Sequence, residues 1–164
     1  MTKTYCNDVV RQHPIYRHCH CFINDILQRD KDKARFKGDV ECLDMDTYET
    51  SIAYGNRDNT MDAVIGTAEI HDNKRLVNKR LSPIEFRLKY RRPDNLETKK
   101  MVDKSRRTRT LLSNDIQVDS TDYFIFNDEK FSNFRSWIHR KHQEKKLLNW
   151  RFLSASDLRE EFQM

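Results

Sequence analysis

Ser82-Pro83-Ile84-Glu85-Phe86-Arg87-Leu88-Lys89-Tyr90-Arg91 is the stretch on which the fold turns. Its first four residues carry a helix-start signature, with Ser at the N-cap position, Pro next and Glu three residues on. The remainder points the other way. Ile84, Phe86, Leu88 and Tyr90 alternate strictly with Glu85, Arg87, Lys89 and Arg91. A strand puts the apolar four on one face and the charged residues on the other, whereas a helix spreads them around its circumference. The alternation prevails. The segment reads as a strand, with Arg87, Lys89 and Arg91 on a solvated face and Phe86 and Tyr90 packed in the core.

Working outward, Met61–Ile70 reads as a second strand. Tyr48, Thr50, Ile52 and Tyr54 alternate with Glu49, Ser51 and Ala53. The turn-forming run Gly55-Asn56-Arg57-Asp58-Asn59 then makes Tyr48–Ile70 a hairpin. Val40–Met45 adds a possible strand before it. Upstream, Ile15, Cys19, Phe22 and Ile26 recur at helical spacing, which predicts an amphipathic N-terminal helix over Ile15–Gln28. Downstream, Pro93-Asp94 opens a helix running to about Thr108, with Asp94 as its cap. Its apolar content is thin: Leu96, Met101 and Val102. Ile116–Val118 and Tyr123–Phe126 read as strands, Asp128 starts the longest helix, and Ser154 or Ser156 caps a short last helix ending at Phe162. These elements predict an α+β fold: an antiparallel sheet of about four to six strands, with helices packed on one face. Residues 1–164 are expected to form a single compact domain.

The 164 residues carry a net charge of +5, and the excess sits in one place. Residues 74–110 hold fourteen Lys/Arg against four Asp/Glu, while the segments before and after are each slightly acidic. Concentrated positive charge points to an anionic partner. The candidate contacts are Arg87, Lys89, Arg91 and Arg92 on the strand, then Lys99, Lys100, Lys104, Arg106, Arg107 and Arg109 on the helix. Lys100, Lys104 and Arg107 share one helical face, where a polyanion would relieve their mutual repulsion. Arg suits phosphate because its fork donates two hydrogen bonds at once. The leading expectation is therefore a non-enzymatic protein that binds DNA or RNA through residues 87–109. A regulator or inhibitor meeting an acidic protein partner, of the kind a virus or mobile element encodes, is the first alternative. A metal-dependent nuclease is the second, with Asp39, Glu41, Asp44 and Asp46 as possible ligands.

Cofactor signals are sparse. Three glycines exclude Gly-rich phosphate loops, and no nucleotide fingerprint or nucleophile elbow is present. Cys6, His18 and Cys21 are candidate zinc ligands, His18 and Cys21 lying three apart on the expected helix, but their spacing fits no standard zinc pattern. Cys19 falls on the core stripe as a buried thiol. His139 and His142 are flanked by Arg140 and Lys141, which oppose a bound cation. No stretch is apolar enough to span a membrane. The residues from Met1 to Cys6 form no signal-peptide core and the four cysteines lack framework spacing, so an intracellular, cytoplasmic or nuclear setting with reduced thiols is expected.

Overall fold

The computed structural model describes residues 2–89, 97–145 and 149–164, with 138 and 141–145 described by backbone alone. In chain order the elements are β1 (Thr2–Tyr5), α1 (Asn7–Arg11), α2 (Tyr16–Cys19), β2 (His20–Phe22), α3 (Ile23–Arg29), β3 (Glu41–Asp44) and α4 (Met45–Ser51). There follow β4 (Ala63–Ile70), β5 (Leu76–Arg87), α5 (Thr98–Leu111), β6 (Asp122–Phe126), α6 (Asp128–Lys145), β7 (Trp150–Ser154) and α7 (Ala155–Phe162).

All seven strands join one sheet in the order β2-β3-β4-β5-β6-β7, with β1 paired to the far end of β4. The sheet is mixed, not antiparallel as the sequence suggests. The strands up to β5 pair antiparallel, whereas β5–β6 and β6–β7 are parallel. Parallel neighbours need a crossover, which α5 and α6 provide. β5 is thus a hinge in the topology, antiparallel to β4 on one side and parallel to β6 on the other. β7 has no counterpart in the sequence reading, which places no element between the longest helix and the cap at Ser154 or Ser156.

The helices do not sit on a single face. Ile23, Ile26 and Leu27 of α3 and Leu158 and Phe162 of α7 pack with Ala63, Ile65, Ile84, Tyr123 and Ile125 of the sheet. The alternate residues Leu43, Val64 and Leu81 pack with Val9 and Val10 of α1. Phe124 and Phe126 pack with Met101 of α5 and Phe134 of α6. The face expected to be wet is therefore covered.

Two further expectations are corrected. The N-terminal helix is interrupted: His20–Phe22 is extended and pairs with β3, which splits Ile15–Gln28 into α2 and α3. Its apolar stripe serves two cores, Ile15 and Cys19 in one and Ile26 in the other. The segment from Met45 to Ser51 is helical rather than the first arm of a hairpin. Asp44 caps it, its carboxylate accepting from the Thr47 backbone N–H at 3.2 Å, a local signal that outweighs the alternation of Tyr48, Thr50 and Ile52. The expected strand at 116–118 is reduced to one bridge, Val118 opposite Leu81. The last helix begins as expected: Ser154 and Asp157 form a reciprocal capping box.

Candidate functional site

Helix α5 has a polar underside. Met101, Lys104, Ser105 and Thr108 are its buried residues, at spacings that place them on one face. Each polar member finds a partner on the sheet or beside it. Lys104 Nζ donates to Glu85 Oε2 at 2.9 Å, Ser105 Oγ donates to Asp122 Oδ2 at 2.6 Å, and Thr108 Oγ1 accepts from the Met61 backbone N–H at 2.9 Å. Arg107 and Arg109 extend the pattern, Arg107 Nε donating to Glu49 at 3.0 Å and Arg109 Nη1 to the Asp119 carbonyl at 2.6 Å. Helix α5 therefore docks by charge and hydrogen bonding, which explains why its sequence shows so little apolar periodicity.

This arrangement redistributes the basic segment. Arg87, Lys104, Arg107 and Arg109 are engaged with Glu85, Glu49 and Asp122, so these cations balance acids carried by the chain itself. Lys99, Lys100 and Arg106 stand exposed on α5, Arg106 within 3.8 Å of Asp103. Lys89 is exposed just beyond β5 and donates to the Asp30 carbonyl. Arg91 and Arg92 lie outside the described residues, as do Pro93 and Asp94 at the expected helix start. Lys74 and Arg75, at the turn between β4 and β5, and Lys79 on β5 add exposed cations that were not among the candidate contacts.

The most concentrated chemistry lies where β4 begins and β5 ends. Ala63 pairs with Ile84, so Asp62 and Glu85 flank the last rungs of that ladder. Asp62 Oδ2 accepts from the Phe86 backbone N–H at 2.7 Å. Burial, reinforced by the negative charge of Glu85, raises the Asp62 pKa well above the ordinary carboxylate value. Glu85 is 1% exposed and Lys104 5%. Glu85 Oε2 takes hydrogen bonds from Lys104 and Arg87, whereas Glu85 Oε1 is buried without a hydrogen-bond partner. Buried polar atoms are almost always paired, so an orphaned carboxylate oxygen calls for a reason. Asp62 also lines an open cavity of about 400 Å³, shared with Asp30, Asp32 and Lys89. That cavity sits at the carboxyl end of β5.

The acidic residues named from sequence are placed otherwise. Asp39 accepts from the Tyr5 hydroxyl at 2.8 Å, Asp44 caps α4 and pairs with Arg29 at 2.8 Å, and Asp46 lies 3.8 Å from Arg57. Glu41 holds Arg11 and Tyr16. Burial works to raise its pKa, but those two hydrogen bonds outweigh it and the net shift is downward. Each has a structural partner, and they do not converge.

The zinc candidates are also separated by their roles. Cys6 is buried at the start of α1, where its backbone N–H donates to the Gly66 carbonyl at 2.7 Å. His18 is exposed on α2 and takes a hydrogen bond from Arg17. Cys21 faces Cys42 across the β2–β3 ladder. Among the described residues, no three His, Cys, Asp or Glu side chains gather as a ready-made metal cage. His139 is exposed on α6. No helix among the described residues is long and apolar enough to cross a membrane.

Asp62 and Glu85 were missed for identifiable reasons. Asp62 stands alone between Met61 and Ala63 with no motif around it. Glu85 was assigned with Arg87 to a wet face. No local signal in the sequence joins the two, because it is the pairing of β4 with β5 that brings them together. The chain matches no protein-family model, no curated protein and no solved structure.

Proposed function

We propose that the chain is a divalent-metal-dependent phosphodiesterase acting on nucleic acid, with Asp62 and Glu85 as the metal-holding carboxylates and Lys104 as the fixed cation beside them. The observation that carries this reading is the buried Glu85 carboxylate, with one oxygen held by Lys104 and Arg87 and the other unpartnered, next to an Asp62 carboxyl that opens on a cavity.

The donor set fits a hard cation. Mg²⁺ is commonly held by one or two carboxylates, with waters and substrate phosphate oxygens completing its shell, so a two-carboxylate site needs no third protein ligand. A bound cation would satisfy Glu85 Oε1 and favour the ionised form of Asp62. Such a cation would polarise a phosphoryl oxygen and lower the pKa of a bound water, favouring the hydroxide that attacks phosphorus. Lys104 holds Glu85 in place and adds positive charge where negative charge would gather. The Phe86 backbone N–H fixes the Asp62 carboxylate. The exposed Lys99 and Lys100 on α5 favour a polyanionic substrate.

Mn²⁺ binding followed by electron paramagnetic resonance tests the site directly. The wild-type chain should bind Mn²⁺, and Asp62→Asn and Glu85→Gln should each weaken binding by at least tenfold. A wild-type chain that binds no Mn²⁺, or variants that bind as tightly as wild type, would overturn the assignment.

A second reading, nucleic-acid binding without chemistry, is favoured by the concentration of net charge in residues 74–110. On that reading the chain binds DNA or RNA equally well with or without a divalent cation, and the outward cations carry the affinity.

A further inference from the structure

Of the four cysteines, all free, two are arranged for chemistry. Cys21 and Cys42 are directly opposite each other in the antiparallel β2–β3 ladder, and their Sγ atoms are 3.5 Å apart. Opposed residues in such a ladder have Cα atoms about 4.5–5.5 Å apart, within the range a disulfide spans. Closing the bond requires the sulfurs to approach from 3.5 Å to about 2.05 Å. Burial separates the four thiols. Cys6, Cys19 and Cys42 are buried, whereas Cys21 is partly exposed on β2, an end strand of the sheet path. A reagent from solvent therefore meets Cys21 first, with Cys42 behind it.

We propose that Cys21 and Cys42 form a reversible, intrachain redox pair that a hydroperoxide oxidises to a disulfide. The Cys21 thiolate attacks one peroxide oxygen. An S–O bond forms, the O–O bond breaks, and the departing hydroxide takes up a proton as water. Cys42, as thiolate, then attacks the Cys21 sulfenic sulfur. The S–S bond forms and the second oxygen leaves as water. The sum is two thiols and one hydrogen peroxide giving one disulfide and two waters. A dithiol reductant reverses it by exchange.

The other titrations agree with this order. A hydrogen bond with Cys21, followed by burial, raises the Cys42 pKa well above that of a free thiol. Cys42 thus keeps its proton while Cys21 reacts, and releases it only as the resolving thiol. Burial pushes the Cys19 thiol up to about 12, which keeps it out of the exchange despite its proximity in sequence. The disulfide would fasten β2, a strand of only three residues, to the interior of the sheet.

Intact mass and peptide mapping after treatment with stoichiometric hydrogen peroxide test the pair. The wild-type chain, oxidised while folded and then alkylated under denaturing conditions, should show two iodoacetamide-reactive thiols instead of four and a loss of 2 Da of mass, yield one cross-linked peptide pair containing Cys21 and Cys42, and recover all four thiols with dithiothreitol. Cys42→Ser should instead accumulate a dimedone-reactive sulfenic acid on Cys21 with no intrachain cross-link. Four reactive thiols remaining after oxidation, or a cross-link between any other two cysteines, would overturn the proposal. The wild-type map decides this even if Cys42→Ser fails to fold.

Discussion

Lys104 Nζ meets Glu85 Oε2 at 2.9 Å, tying the buried face of α5 to the end of β5. The two side chains are 6% and 1% exposed. Removing one partner of a buried pair leaves the other charge without compensation, at a cost of about 3–5 kcal/mol. Lys104→Met should therefore lower stability in denaturant titration towards that range, moderated by the remaining Arg87 contact to Glu85. The double variant Lys104→Met with Glu85→Leu should be less destabilised than the sum of its single variants. Additive losses would show that the two charges are not coupled.

Asp62 makes the opposite prediction. Its folded-state pKa is raised, so the folded chain binds a proton more tightly there than the unfolded chain does. Stability then falls as pH rises from the unfolded carboxylate pKa through the folded one, and the penalty persists above it. Asp62→Asn keeps an acceptor for the Phe86 N–H and removes the penalty. The variant should melt above wild type at neutral pH, with the difference shrinking as pH falls towards about 4. A variant that melts below wild type at neutral pH would show that the ionised carboxylate is not strained. Millimolar Mg²⁺ should raise the melting temperature of wild type and leave the variant unchanged, because only a folded state that binds the cation gains from it.

Gly66 is packed against backbone. A Cβ there would stand 2.1 Å from the Cys6 carbonyl oxygen and 2.8 Å from Val9 Cβ. Gly66→Ala must push β4 away from the start of α1, and overpacking of this kind costs roughly 1–3 kcal/mol. Thermal unfolding of that variant should show the loss, whereas Gly38→Ala, with nothing within 4 Å of its added carbon, should leave stability within about 0.5 kcal/mol of wild type.

The exposed cations on α5 are predicted to act on affinity alone. Lys99→Ala with Lys100→Ala should weaken oligonucleotide binding in anisotropy titrations and reduce the slope of log K against log salt by about one per lysine. Mn²⁺ binding at Asp62 and Glu85 should stay as in wild type. An unchanged salt slope would place the nucleic acid elsewhere on the surface.

The strands were legible where one rule acts alone. Strict alternation marked only Ile84–Arg87, the last third of a β5 that begins at Leu76 and ends at Arg87, and an apolar run marked Met61–Ile70. Of the parallel half, Tyr123–Phe126 reads as a strand and is β6, whereas the short run Trp150–Ser154 does not stand out ahead of a capped helix. Helix α4 was lost to a competing period: Tyr48, Thr50 and Ile52 alternate, but Asp44 caps and Glu49 turns inward to Arg107. The site failed to appear for a related reason. A sequence lists charges but not which of them face each other, so Glu85, Arg87, Lys104 and Arg107 look like a solvated basic surface until α5 is laid on the sheet. Composition pointed to an anionic partner. Only the pairing of β4 with β5 brings Asp62 to Glu85.

The most direct measurement is incubation of labelled single- and double-stranded DNA and RNA with the wild-type chain and with Asp62→Asn, in Mg²⁺ or Mn²⁺ and in EDTA. The account predicts cleavage of at least one of these substrates by wild type with metal, and none by Asp62→Asn or in EDTA. Intact substrates throughout, or cleavage that survives in Asp62→Asn, would contradict it.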